Sequence, residues 1–158
     1  MKRAIVLAGG GAKGSYQMGF WTAIRELGID FQITTGSSVG ALNAALLASG
    51  NYDGGLEMWS SITTEDIVTR TPRQISQLID TSGIAASLKG IMGDLADDAV
   101  NVKMDPFPLG GLINKFFSEK EIRDGSVELG IMTSEYPSLK SRPFTLAEIP
   151  YGMMEDYL

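Results

Sequence analysis

The stretch that decides the fold is ITTGSSVGALNAALLASG, which runs from Ile33 to Gly50. Its beginning is rich in β-branched residues, and we predict a strand over Phe31–Thr35. An Ala- and Leu-rich segment follows, and it predicts a helix over Val39–Ser49 that ends at Gly50-Asn51. A sharp, glycine-flanked turn at Gly36–Gly40 must then join the strand to the helix.

This turn matches the pattern G-x-S-x-G, in which a strained bend between a strand and a helix exposes a nucleophilic serine. Ser38 has glycines at both positions two residues away, Gly36 and Gly40, whereas Ser37 lacks this flanking. We therefore predict that Ser38 is a nucleophile, with its Oγ at the helix N-terminus, where developing negative charge is favoured. The alternative is a serine that only caps the helix.

A second glycine-rich turn, GGGAKG at Gly9–Gly14, lies between a predicted strand over Arg3–Ala8 and a predicted helix over Ser15–Leu27. Its backbone N–H groups and the helix N-terminus favour a bound negative charge. Three interpretations stay open: an oxyanion hole, a dinucleotide-binding G-x-G-x-x-G loop, and a turn needed only for packing. The dinucleotide hypothesis lacks the acidic residue that should close the second strand, which ends in Thr34-Thr35-Gly36.

The order strand–helix–strand–helix predicts an α/β fold with a mainly parallel sheet. Both glycine turns then follow the carboxyl ends of strands and open on the same edge of the sheet. We expect the N–H groups of Gly10, Gly11 and Val39 to surround the oxyanion of a carbonyl group that Ser38 attacks.

The rest of the chain predicts a helix over Gly55–Ile62 and a helix pair over Leu112–Phe117 and Glu119–Arg123. Shorter helical pieces are predicted between Arg73 and Leu95, a loop over Met104–Gly111, strands over Val127–Thr133 and Phe144–Ile149, and a helix that begins within Met153–Leu158.

The 158 residues fit one soluble domain, with 44% hydrophobic and 20% charged residues. A net charge of −6 argues against general binding of nucleic acid. The chain has no Cys and no His, so it forms no disulfide and lacks the commonest ligands of zinc and other transition metals. An all-oxygen Mg or Ca site stays open, but no calcium-loop spacing is present, and we predict no metal and no cofactor. The N-terminal apolar run, Ala4–Ala8, is too short for a signal peptide, and a cytoplasmic location is our default prediction.

The turns at Gly9–Gly14 and Gly36–Gly40 resemble the G-G-G-x-[RK]-G and G-x-S-x-G motifs of the patatin-like phospholipase family. The motif-bearing resemblance covers about the first 50 residues. It implies a three-layer α/β/α fold and hydrolysis of lipid acyl esters by a Ser–Asp dyad without histidine. Lys13 occupies the family's basic position, although an exposed charge without a role explains it equally well.

The resemblance implies that the dyad aspartate belongs to a D-G-[GA] motif. Asp53-Gly54-Gly55 fits the letters, but it lies past the far end of an 11-residue helix, about 16 Å from the serine turn, and we interpret it as a turn between helices. Asp124-Gly125 precedes a strand and belongs to the amino edge of the sheet. Asp105 and Asp156 have no motif and stay open. We expect that the catalytic aspartate is not in this chain, which would then be C-terminally incomplete, through truncation or a naturally short gene.

We therefore predict one patatin-like acyl hydrolase domain over residues 1–158, without its C-terminal part and with a helical insert over about 55–123. Within it, Arg73–Phe117 is either a lid or acyl-chain site, or ordinary core helix. The predicted partner is a lipid or acyl-ester substrate, and a transient membrane or micelle interface and an oligomer are both compatible with the sequence. The predicted function is a serine acyl hydrolase that acts on lipid or phospholipid acyl esters and is inactive as this chain. The alternative is a non-catalytic fragment that binds lipid or a partner.

Overall fold

The computed structural model describes residues 2–63, 107–135 and 140–158. Its strands are β1 (Ala4–Leu7), β2 (Ile33–Ser37), β3 (Glu128–Glu135) and β4 (Lys140–Thr145). Its described helices, numbered in chain order, are α1 (Gly14–Glu26), α2 (Val39–Ser49), α3 (Tyr52–Ser61), α4 (Phe107–Phe116), α5 (Glu119–Asp124) and α6 (Met154–Tyr157). The chain divides into two units, and the first comprises Met1–Ile62 with Ile113–Leu158. The second, Thr63–Leu112, falls mostly outside the described residues.

The four strands form one sheet in the order β1-β2-β3-β4. The pairs β1–β2 and β2–β3 are parallel, with Leu7 opposite Gly36 and Ser37 opposite Met132, and only β3–β4 is antiparallel among these pairs. The predicted α/β class with a mainly parallel sheet is therefore confirmed. Because β1 and β2 run side by side in the same direction, the two glycine turns leave the sheet at the same edge.

The central helix α2 packs against β1, β2 and β3 and is buried on nearly all sides. Its Ala- and Leu-rich composition suits this position, because a helix that is apolar all round belongs in a core. The sheet face under α2 carries the buried side chains of Leu7, Leu129 and Ile131. On the other face Val6 is 76% exposed and Met132 is 41% exposed. In the described part of the chain, α2 thus covers one face of the sheet.

The ends of α2 and α3 are set by local capping. Gly50 closes α2 in the left-handed conformation with φ 70°. Asn51 then caps α3, since its side chain accepts a hydrogen bond of 3.0 Å from the Gly54 N–H and donates one of 3.1 Å to the Phe116 carbonyl. For this reason α3 begins at Tyr52, three residues before the helix that the sequence predicts.

The predicted loop over Met104–Gly111 is wrong for its described residues, because Phe107–Phe116 is helical. Pro108 is the second residue of α4. A proline is tolerated there because the N–H groups of the first helical turn have no acceptor within the helix, so a missing N–H breaks no hydrogen bond. Farther along, Ile113 and Phe116 are buried. Their packing stabilises the helix despite the low helix propensity of its glycines.

The predicted strand over Phe144–Ile149 is also wrong in most of its length. The strand is Lys140–Thr145, and Leu146–Glu148 forms a 3-10 turn capped by Thr145. The strand is displaced because its partners on β3 set the register, with Phe144 opposite Ile131. Pro143 is accepted because β4 lies at the end of the described sheet, where a missing N–H is not costly.

The predicted helix at Glu119–Arg123 is confirmed as α5, and its last turn carries a half-buried arginine. The Arg123 guanidinium pairs with Glu119 at 2.6 Å and donates to the carbonyls of Leu146 at 3.2 Å and Ile149 at 2.7 Å. A single side chain therefore ties α5 to the segment that follows β4.

Several predictions lie wholly or partly outside the described residues. They are the helical pieces between Arg73 and Leu95, Asp105, and most of the lid or acyl-chain segment Arg73–Phe117. The helical insert over about 55–123 also stays a prediction. Among the helices that the structure describes, none is long and apolar enough to cross a membrane.

Candidate active site at the carboxyl edge of the sheet

Ser38 has an unusual backbone conformation. Its φ is 53° and its ψ is −134°, and it is the one described non-glycine residue with a positive φ. Such a conformation costs on the order of 1–3 kcal/mol and persists only where the surrounding structure imposes it. Ser38 lies directly between the last residue of β2 and the first residue of α2. The sharp, strained turn that the sequence predicts is therefore present at the predicted serine.

The glycines on either side of Ser38 are required by close backbone contacts. A Cβ at Gly36 would lie 2.0 Å from the Gly40 carbonyl oxygen, and a Cβ at Gly40 would lie 2.3 Å from the Leu7 carbonyl oxygen. Both neighbours are backbone atoms and cannot rotate away. The turn thus has no room for a side chain at either position, as the motif predicts.

The side chain of Ser38 is exposed. Although Ser38 occupies the N-cap position of α2, its hydroxyl makes no capping hydrogen bond within the described residues. This argues against the alternative of a serine that only caps the helix. The Oγ is accessible to a substrate at the N-terminus of α2, where the helix dipole stabilises negative charge.

The first glycine turn lies against the serine turn. A Cβ on Gly9 would lie 3.1 Å from the Ser38 Cβ, and one on Gly14 would lie 2.6 Å from a methyl carbon of Val39. Gly11 begins a 3-10 turn, Gly11–Lys13, with φ 54°. The structure therefore brings the two motifs together, as expected from their common sheet edge.

The predicted oxyanion hole rests on backbone N–H groups at two helical starts. Val39 is the first residue of α2 and Gly11 is the first residue of the 3-10 turn, so their N–H groups have no acceptor within their own helical segment. Gly10 precedes that turn, and its carbonyl accepts a 3.2 Å hydrogen bond from the Lys13 N–H. The convergence of Gly10, Gly11 and Val39 on one oxyanion stays a prediction. Lys13 is exposed, and its role also stays a prediction.

The aspartates of the two D-G sequences lie away from Ser38. Asp53 is exposed in the first turn of α3, past the C-terminal end of α2; it lies inside a helix, not in the predicted turn between helices. Asp124 ends α5 and pairs with Lys120, and a Cβ on the next residue, Gly125, would lie 2.6 Å from the Ala48 carbonyl oxygen. Ser38 is at the opposite end of α2, about 16 Å along the helix axis.

Asp156 lies at the same sheet edge as Ser38. It is exposed on α6 and faces an open cleft of about 400 Å³. The cleft lies at the carboxyl end of β3, and its other lining residues are Thr133, Ser134, Arg142, Phe144 and Tyr157. Within the described ranges, no aspartate forms a hydrogen bond with Ser38, and no group of three His, Cys, Asp or Glu side chains is placed to hold a metal ion.

Sequence reasoning missed a set of polar side chains behind the two turns. Asn43 is completely buried in α2, where it hydrogen-bonds to Gln17 on α1 and to Trp59 on α3. The available signal was an asparagine within an otherwise apolar run, GALNAALLA. A buried amide must find hydrogen-bond partners, so this position could have been marked.

The comparisons with known proteins identify the family of the chain and agree with its fold. The family model described as patatin-like phospholipase matches residues 5–151. The chain is 30% identical over 97 residues to patatin-like phospholipase domain-containing protein 7 of Rattus norvegicus. The matched stretch covers 58% of this chain and 7% of that protein. It is also 50% identical over 44 residues to lysophospholipase nte1 of Aspergillus terreus, and this stretch covers 28% of this chain and 3% of that protein.

The chain thus spans less than a tenth of the length of either curated relative. Among solved structures it resembles VipD from Legionella pneumophila, with a TM-score of 0.55 and 16% identity over 99% of this chain and 41% of that one. At this identity the likeness is one of fold, and it agrees with the observed α/β architecture. Since the family model matches most of its length, the chain belongs to the patatin-like phospholipase family.

Proposed function

We propose that this protein is a serine acyl hydrolase that acts on lipid or phospholipid acyl esters, with Ser38 as its nucleophile. The observation that carries the proposal is the strained backbone of Ser38, whose exposed hydroxyl lies between two glycines that tolerate no side chain. Membership of the patatin-like phospholipase family supports the lipid substrate, as does similarity to a protein named lysophospholipase.

In the proposed reaction, the Ser38 Oγ attacks the ester carbonyl carbon while its proton passes to a base. The N–H groups of Gly10, Gly11 and Val39 stabilise the oxyanion that forms. Collapse of this intermediate breaks the bond to the alcohol, which leaves with the proton, and an acyl-serine remains. Water then attacks the acyl-serine and gives up a proton to the base. The bond between the acyl carbon and the Ser38 Oγ breaks, the base returns the proton to Oγ, and the fatty acid leaves. The chain supplies no histidine for this base, and the family resemblance implies an aspartate.

We infer that the catalytic aspartate is not among the described residues. Asp53 and Asp124 lie at the far end of α2, and a base must come within about 2.6–3.2 Å of the hydroxyl that it deprotonates. Asp156 is the described alternative, because it lies at the same sheet edge as Ser38. If the dyad aspartate lies outside this chain, as the sequence leads us to expect, the 158-residue chain by itself should be a poor hydrolase. Asp156→Asn is then expected to leave its residual activity unchanged.

A fluorophosphonate probe, which reacts covalently with activated serines, tests the nucleophile. In this chain, or in a longer polypeptide that contains it and supplies the base, mass spectrometry is expected to locate the probe on Ser38, and Ser38→Ala should abolish labelling. Ser37→Ala is the matched control, since it removes the neighbouring hydroxyl from the end of β2 and should leave labelling intact. Loss of labelling in Ser37→Ala but not in Ser38→Ala would contradict the assignment.

An activity assay on the same variants separates hydrolysis from binding alone. Release of fatty acid from a micellar lysophospholipid, lost in Ser38→Ala, supports the hydrolase. If neither this chain nor a longer polypeptide that contains it is labelled or active, the non-catalytic hypothesis of lipid or partner binding replaces the proposal.

A further inference from the structure

Three side chains from different helices form one hydrogen-bonded chain behind the site. The Trp59 indole N–H donates to the Asn43 Oδ1 at 2.8 Å, and the Asn43 Nδ2 donates to the Gln17 Oε1 at 2.7 Å. The Gln17 Nε2 then donates to the Ala8 carbonyl at 2.7 Å. The Asn43 Nδ2 also donates to the Gly14 carbonyl at 2.9 Å. This series of hydrogen bonds thus ends on the Ala8 and Gly14 carbonyls, one at each end of the first glycine turn.

The direction of these hydrogen bonds is fixed by chemistry. An indole N–H only donates, and a backbone carbonyl only accepts. Between these two ends, each amide must present its oxygen toward Trp59 and its nitrogen toward the glycine turn. Asn43 is completely buried, so a broken link would leave a polar group without a partner in the core. The arrangement therefore has one orientation in which all of these groups are satisfied.

The Ala8 carbonyl is held from two sides. Gln17 donates to it from α1, and a Cβ on Gly40 of α2 would lie 2.8 Å from the same oxygen. Because a peptide unit is planar and trans, fixing the Ala8 carbonyl also fixes the direction of the Gly9 N–H. Trp59 closes the other side, since its ring would lie 2.4 Å from a Cβ on Gly14. The first glycine turn is thus held at both of its ends against the start of α2.

We propose that Gln17, Asn43 and Trp59 are positioning residues that hold the first glycine turn in register with Ser38. They act through the Ala8 and Gly14 carbonyls and touch no reacting atom. The inference rests on the proposed function, because the register matters for the oxyanion of the Ser38 reaction. Donors that stabilise a developing charge must be placed before the reaction, and small displacements are costly.

The test compares Gln17→Met with Asn51→Ala. Gln17→Met keeps the length of a half-buried side chain and removes the donor to Ala8. Asn51→Ala is the matched control, since it removes the cap of α3 at the opposite end of α2 and leaves the glycine turns untouched. We expect Gln17→Met to slow fluorophosphonate labelling by about tenfold or more, and Asn51→Ala to lower the melting temperature without changing labelling below it.

Amide hydrogen exchange, followed by NMR, supplies a readout that does not depend on reactivity. The Lys13 N–H, which bonds to the Gly10 carbonyl within the turn, should exchange about fivefold faster or more in Gln17→Met and at the native rate in Asn51→Ala. A second variant, Trp59→Phe, removes the donor to Asn43 together with part of the ring that lies against Gly14, and it should act in the same direction.

Each outcome decides a different point. Native Lys13 exchange in both Gln17→Met and Trp59→Phe overturns the inference, whatever the labelling shows. Faster exchange with unchanged labelling of Ser38 also overturns it, because the turn then moves without consequence. If the unmodified protein is not labelled in any form, the proposed function fails, and amide exchange still shows whether the three side chains hold the turn.

Discussion

Gly40→Ala is the most direct perturbation of the serine turn. The added Cβ would lie 2.3 Å from the Leu7 carbonyl oxygen and 2.8 Å from that of Ala8, whereas ordinary van der Waals contact begins near 3.4 Å. Relief of the contact thus requires α2 to move away from the end of β1 by about 1 Å, because both oxygens belong to the backbone. Overpacking of this kind costs about 1–3 kcal/mol.

Two measurements follow from that displacement. For a domain of this size the melting temperature, measured by circular dichroism, should fall by about 3–10 °C. The rate of fluorophosphonate labelling at Ser38 should fall by about a hundredfold, since a displacement of 1 Å is enough to misalign reacting groups. The loss of labelling should persist at temperatures where the variant is fully folded.

Gly19→Ala is the control with the same chemical change. Gly19 lies in the middle of α1, and nothing lies within 4 Å of the Cβ that it would gain. Alanine is the better helix former by about 1 kcal/mol, so this variant should melt at a higher temperature and label at the native rate. If Gly40→Ala instead kept both native stability and native labelling, the close approach of α2 to β1 would be refuted.

Three further predictions concern the stability of the fold. Arg123→Met should cost about 2–3 kcal/mol in urea unfolding, because the arginine bonds two carbonyls and a carboxylate from a half-buried position, whereas Lys120→Met should change little, because its ion pair is exposed. Hydrogen bonds from the backbone and side chain of Thr145 lower the pKa of Glu148. The ionised Glu148 therefore stabilises the folded state above the ordinary carboxyl pKa of about 4.3, and this contribution is lost as pH falls through the lowered value. Thermal melts between pH 7 and 3 should therefore show a smaller loss of melting temperature in Glu148→Gln than in the native protein. Gly11→Ala has space for its Cβ, so the positive φ alone should set its cost, about 1–2 kcal/mol in the same unfolding assay.

The serine turn was predictable because its constraints are local. The residues that constrain it, Gly36, Ser38 and Gly40, lie within five positions of the sequence. The β-branched residues before the turn predict the strand, and the Ala- and Leu-rich segment after it predicts the helix. The same holds for the parallel order of β1 and β2, since right-handed crossovers leave little choice once strand and helix alternate. The nearness of Gly9 to Ser38 follows from that order and was predicted with it.

The errors occur where tertiary packing outweighs local composition. Proline and glycines near the start of α4 favour a loop, yet the buried Ile113 and Phe116 on the same segment hold a helix. The polar residues of Lys140–Thr145 have no strand signal of their own, and they form β4 because β3 offers an open edge for pairing. Their register depends on hydrogen bonds to another segment, which composition does not encode.

The serine turn and its glycines follow from short-range sterics within Ile33–Gly50, and the α/β class follows from the alternation of strands and helices. The series of hydrogen bonds from Trp59 through Asn43 and Gln17 to Ala8 could not be predicted in this way. Its successive partners are 16, 26 and 9 residues apart along the chain. An asparagine in an apolar helix shows that a partner is needed without naming it. Only the packing of three helices around the first glycine turn decides which groups meet, since hydrogen bonds are directional and act over about 3 Å.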